Sequence, residues 1–168
     1  MAVLATDIDF HLSGGAANAD PNASLGGAIS NNQITSGALH NLWDIVSGAE
    51  SSAGDTEYRC IYVRNNSAQT LFNAHVYVST ESPSVGSDEL IGLGTSAVNG
   101  VEQTVADESS APAGVAFSQA NGVGNALAIG DIPAGQHKAI WIQRDISIGA
   151  AAYNNDGPTL TVGGDTAA

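Results

Sequence analysis

Polar and apolar residues alternate over residues 7–12, which places Ile8, Phe10 and Leu12 on one face of a strand that Ser13-Gly14-Gly15 ends. Residues 57–64 form the most strand-like run, rich in β-branched and aromatic side chains and closed by Asn65-Asn66-Ser67. The alternation resumes over 70–79, with Phe72, Ala74, Val76 and Val78 on one face and Asn73, His75 and Tyr77 on the other. These two runs read as an antiparallel hairpin with one buried face. A further clear strand over 138–146 follows the turn Ile132-Pro133-Ala134-Gly135-Gln136, and shorter runs at 89–93, 114–118, 125–129 and 159–162 complete the set. The last is set off by the turn Asn154-Asn155-Asp156-Gly157-Pro158.

Between residues 36 and 48 two readings compete. Leu39, Leu42, Trp43 and Val46 fall at helical spacing, with Ser36 as N-cap and Gly48 after the last turn, yet 42–46 serves equally as a short extended segment. Two stretches read as loops, near 13–35 and 94–113. The first carries the turn chemistry of Asp20-Pro21-Asn22 and Gly26-Gly27, so 16–32 is expected to be an ordered surface loop. The second is rich in small and acidic residues and is expected to be a long exposed loop or arm. Short strands punctuated by turns, without any self-similar period, predict an all-β, single-domain β-sandwich over residues 1–168, immunoglobulin-like or jelly-roll-like, with long loops.

With 43% hydrophobic residues but only 5% aromatics, the core must be filled by Ala, Val, Ile and Leu. A net charge of -13, from 17 acidic and 4 basic residues, argues against nucleic acid and against an anionic membrane as partners. It favours solubility and mutual repulsion of free copies. The lone Cys60 excludes an internal disulfide framework and a thiolate metal cluster, and its place in the strongest strand predicts a buried, unreactive thiol. The opening Met-Ala-Val-Leu-Ala-Thr-Asp lacks the positive region of a secretory signal, and no apolar run nears the ~20 residues of a membrane span. Synthesis in the cytoplasm is the expectation.

Candidate chemistry is sparse. Gly94-Thr95-Ser96-Ala97-Val98 lacks the second glycine of a nucleophile elbow, and Gly122-Val123-Gly124-Asn125-Ala126-Leu127 lacks the third glycine of a dinucleotide fingerprint. His11, His40, His75 and His137 are scattered, so only the fold could assemble them into a zinc site. Asn18, Asp20 and Asn22 offer oxygens at alternate positions, but the glycine and final glutamate of a calcium loop are missing, and an Asx-turn is the simpler reading. The pairs Asp7 with Asp9 and Asp107 with Glu108 read as solvated charge. The sequons at Asn22 and Asn65 mean little without a secretory signal. Arg59, Arg64, Lys138 and Arg144 all lie in the two best strands and are expected to pair with acids, within the chain or across a subunit boundary. No catalytic residue, cofactor-binding residue or metal ligand is expected, and the chain is read as a non-enzyme.

The runs from Phe10 through Gly15, Asp20 through Gly27, Gly54 through Asn65, Ile132 through Ile142, and Asn155-Asp156-Gly157 together resemble structural proteins of tailed phages and prophages. That resemblance spans most of the chain and implies a virion component made in the host bacterial cytoplasm. Within this class a small acidic β domain suits a capsid decoration or cement protein, self-associating as a homotrimer and contacting the major capsid protein. A tail, baseplate or fibre-associated protein is the alternative. A carbohydrate-binding module is the reading from another class, with Trp43 and Tyr153 as its stacking platforms.

Overall fold

The computed structural model describes residues 2–153 and 156–167, and it is an all-β sandwich. Six antiparallel strands form the larger sheet: β1 (Ile8–Ser13), β3 (Ile29–Gln33), β4 (Asp55–Asn65), β6 (Ser87–Leu93), β8 (Phe117–Ser118) and β10 (His137–Ile146), in the order β3-β1-β4-β10-β6-β8. The smaller sheet holds β5 (Leu71–Thr80) between β11 (Thr159–Asp165) and β9 (Leu127–Ile132). A two-stranded ribbon pairs β2 (Gly26–Gly27) with β7 (Glu102–Thr104). The only α-helix among the described residues is α1 (Gly48–Ala53), which follows Ser47 as its N-cap.

β4 and β10 form the centre of the larger sheet, with Ile61 opposite Ile140 and Val63 opposite Lys138. Ile61, Val63, Ile91, Ile140 and Ile142 face Ala74, Val76, Val78, Ile129 and Ile132 from the smaller sheet, and these residues make the main core. β4 and β5 are therefore not the hairpin that their alternation suggests. They lie in different sheets, with their apolar faces opposed across the core. The turn between them is held by Asn65, which is fully buried and donates to Gln69 O and Ile132 O at 2.8 and 2.9 Å. Alternation specifies a buried face but not the partner that buries it.

The face of β5 also changes along its length. Asn73 adopts φ 49°, the register shifts between Leu71 and Ala74, and Leu71 turns inward while Phe72 is 38% exposed. The expected inward position of Phe72 is thus corrected by a bulge. Its backbone is secured by Asn73 N–H donating to Asp131 and by the Asn73 amide donating to Asp165.

Parts of the two stretches read as exposed loops form a third layer, while β3 within the first joins the edge of the larger sheet. Residues 16–32 contain a 3-10 turn (Pro21–Ala23), β2 and most of β3, and residues 94–113 contain β7. Ile29 and Val105 pack with Val115 and Phe117 over Cys60, Tyr62, Ala139 and Trp141, on the face of the larger sheet opposite the main core. At Gly26, φ is +96° and a Cβ would lie 1.8 Å from Gln103 O, so no other residue allows β2 and β7 to approach this closely. Segment 94–113 thus packs against its own chain.

Residues 36–47 are neither helix nor strand; the helix α1 begins at Gly48, where the expected one was to end. Strand 114–118 shortens to β8, and 125–129 shifts to β9 after a 3-10 turn (Val123–Asn125). Of the expected closing turn, Asn154 and Asn155 lie outside the described residues.

Candidate functional site

The larger sheet carries a charged layer on its core-facing side. Glu57, Arg144 and Glu89 sit side by side on β4, β10 and β6, each buried, and Arg59 follows Glu57 on the same face. Arg144 Nε donates to Glu57 Oε2 at 2.6 Å, and its guanidinium also reaches Asp44, through the backbone carbonyl at 3.2 Å and the carboxylate at 3.5 Å. Arg59 donates to Glu108 at 2.5 Å and to Asn22 at 3.2 Å. Trp43 lies under both cations, 4.7 Å from the Arg144 carbon and 5.1 Å from that of Arg59. The indole thus supplies a π face to two desolvated guanidinium groups, a favourable use of an aromatic in a dry setting.

Burial pushes the Glu57 carboxyl upward despite Arg144, and pushes Glu89 upward despite the hydroxyls of Ser82 and Ser87 that donate to it. Glu102 behaves in the opposite sense. Burial opposes its ionisation, but the N–H groups of Ser96 and Thr95 and the Thr95 hydroxyl all donate to it and draw it down to about 2. The failed nucleophile elbow at Gly94-Thr95-Ser96-Ala97-Val98 is therefore a cradle for the chain's own carboxylate. Gly94 is needed there, since a Cβ would lie 2.6 Å from Glu102 Oε2. Lys138 closes the same loop by donating to Gly94 O at 2.9 Å and to Ser96 O.

The expected pairing of basic residues holds within the chain for Arg59 and Arg144. Lys138 bonds carbonyls rather than an acid, and Arg64 has no carboxylate at ion-pair distance among the described residues. Glu108 is the partner of Arg59 and not solvated charge. Its neighbour Asp107 is held low by the Ser110 and Ser109 hydroxyls, while Asp7 and Asp9 go to separate partners, Leu4 N–H and the amides of Gln33 and Asn66.

Each residue of the Asn18, Asp20, Asn22 series accepts an internal donor on Oδ1: Asp20 N–H, Asn22 N–H and Arg59 in turn. Asn65 is buried and its amide engaged, so that sequon is closed to modification, and Asn22 is exposed but bonded to Arg59. His11 and His137 flank β4 beside Tyr62 and Arg64, His75 stacks on Tyr77, and His40 is exposed. No cluster of three potential ligands among the described residues includes a histidine. Gly122 to Asn125 form a surface 3-10 turn. Cys60 is fully buried, and burial pushes its thiol well up, away from reactivity.

Trp43 is 9% exposed beneath its two arginines and is not a stacking platform; Tyr153 is 56% exposed. Tyr153 belongs instead to an apolar surface at one end of the sandwich. Leu39, Ile45 and Tyr153 line a groove of about 1070 Å³ between segment 36–48 and residues 150–153 and 156–160. Ile148 and Val85 lie at the same end, where Ser147 N–H bonds Gly86 O and Gly149 N–H bonds Ser51 O. All five are more than half exposed. Sequence reasoning missed this grouping because the residues come from three separate connections.

No family model, curated protein or solved structure matches the chain.

Proposed function

We propose that this protein is a structural component of a tailed-phage particle, a decoration protein that docks on the head shell and works by contact rather than catalysis. The observation that carries this reading is the apolar end formed by Leu39, Ile45, Val85, Ile148 and Tyr153 on an otherwise strongly acidic chain. Exposed large apolar residues gathered in one place favour contact with another protein. The buried charges support the same reading, because Arg59 and Arg144 in the charged layer and Glu102 in β7 are engaged in holding loops in place. Burial of Trp43 removes the better of two sugar platforms and disfavours the carbohydrate-binding reading. Copy number on a symmetric shell would turn modest contacts at this end into stable attachment.

The experiment is rebinding to particles that lack the protein, comparing the unaltered chain with the double variant Leu39→Ser, Ile45→Ser after a thermal melt confirms folding of both. Occupancy should fall at least about tenfold, as expected when two apolar contacts worth a kcal/mol or more are lost. Full occupancy by the variant removes this end from the contact surface. Failure of the unaltered protein to bind heads, with binding to tails, moves the assignment to the tail.

A further inference from the structure

Two carboxylate triads meet at Glu57, and they differ in their neighbours. Asp44, Glu57 and Glu108 place ligand oxygens within 4.8 Å of one another, but each of these residues is bonded to Arg144 or Arg59. Those cations already balance that side. Glu50, Asp55 and Glu57 likewise place ligand oxygens within 4.8 Å of one another, and neither Glu50 nor Asp55 has an arginine or lysine at ion-pair distance among the described residues. The five acids face two guanidinium groups, so negative charge accumulates on the Glu50 and Asp55 side.

A second observation at Glu57 points to a ligand. Glu57 has its side chain 1% exposed, gives Oε2 to Arg144, and has no hydrogen-bond donor on Oε1 among the described residues. A carboxylate oxygen without a donor in the interior carries a large desolvation cost, which a bound cation offsets. We propose that Glu50, Asp55 and Glu57 bind a calcium ion at the start of β4. All three ligands are oxygens, which selects a hard cation. Three carboxylates in one site suit calcium, which takes six to eight oxygens in flexible geometry, better than magnesium, which keeps several waters and uses one or two carboxylates.

The local chain brings the ligands together. Asp55 and Glu57 alternate onto one face of β4, and Glu50 is fixed by a capping box, accepting from Ser47 N–H at 2.6 Å while Ser47 Oγ accepts from Glu50 N–H. An ion here would tie α1 to β4. It would also lie beneath the apolar end, because Ser51 of the same helix bonds Ala150 O and accepts Gly149 N–H through its carbonyl.

The test is calorimetric melting of the full chain after chelator treatment, with millimolar calcium chloride at constant ionic strength. Unaltered protein is compared with Glu50→Gln, which keeps the capping box, with Asp55→Asn, and with Glu81→Gln as a control for general screening of the acidic surface. Glu57→Gln is avoided because it would strand Arg144. At calcium one hundred times its dissociation constant the melting temperature should rise by about 5 to 10 °C. Both ligand variants should lose most of that rise, Glu81→Gln should keep it, and titration calorimetry should give one ion per chain. The proposal is overturned by no rise in the unaltered protein, by an equal rise in the ligand variants, or by an equal rise with magnesium.

Discussion

Replacing Glu102 by Gln isolates the contribution of one carboxylate to holding segment 94–113 on the sheet. The side chain keeps its size but loses its charge, and the amide presents a donor to the N–H groups of Thr95 and Ser96 that the carboxylate accepts from. Glu102 is 3% exposed, and its folded pKa lies at about 2 against an ordinary value of 4.5. At about 1.4 kcal/mol per unit, that depression corresponds to roughly 3 kcal/mol of stability at neutral pH. Because the folded pKa is the lower one, this stability is present above the unfolded value and is lost as pH falls from about 4.5 towards 2, with about half gone by pH 3. Urea denaturation of both proteins from pH 7 to pH 3 measures the difference directly. The unaltered protein should exceed the variant by about 3 kcal/mol at pH 7, and the gap should close on acidification. A gap under about 1 kcal/mol at pH 7, or one that does not change with pH, would refute the reasoning.

Trp43→Ala should cost about 3 kcal/mol or more in denaturant titrations, since it leaves a cavity beneath two buried guanidinium groups; a cost near that of a surface change would mean the indole does not support them. Asn73→Gly should alter stability by less than about 0.5 kcal/mol and Asn73→Val should cost about 1 to 2 kcal/mol, because the bulge needs positive φ; equal melting temperatures would remove the bulge from consideration. Glu89 has a raised folded pKa, so its charge opposes folding above that pKa and the opposition is relieved as pH falls through it. Glu89→Gln should therefore be at least as stable as the unaltered protein at pH 8, and a melting temperature lowered by more than a few degrees would contradict this. Deleting residues 98–110 removes both Glu102 and Glu108 and should abolish cooperative melting; a deletion product that melts like the unaltered chain would return this segment to the status of an exposed arm.

Much of the fold is legible in local pattern. The runs around β1, β4, β10 and β11 alternate or are densely β-branched, and a strand's own side chains report that it is extended and which face is apolar. The buried state of Cys60 follows from the same signal. Pairing is a different matter, because a strand with one apolar face is satisfied equally by a neighbour in its own sheet or by a sheet across the core, and β4 and β5 took the second arrangement. The third layer was hidden for a related reason. Ile29, Val105, Val115 and Phe117 are too widely spaced to show a period, and they become a surface only when the chain folds back over Cys60, Tyr62 and Trp141.

The candidate sites depended still more on tertiary structure. Arg144 and Glu57 are 87 positions apart and Arg59 and Glu108 are 49 apart, so neither ion pair has a local signature. By itself the sequence determined an acidic all-β chain, its main strands and the facing of most of them, since these rest on side-chain chemistry and a two-residue period. The tertiary structure alone decided which carboxylates are neutralised, which oxygen is left without a donor and which apolar residues share one end, since burial and charge balance are set by neighbours distant in the chain.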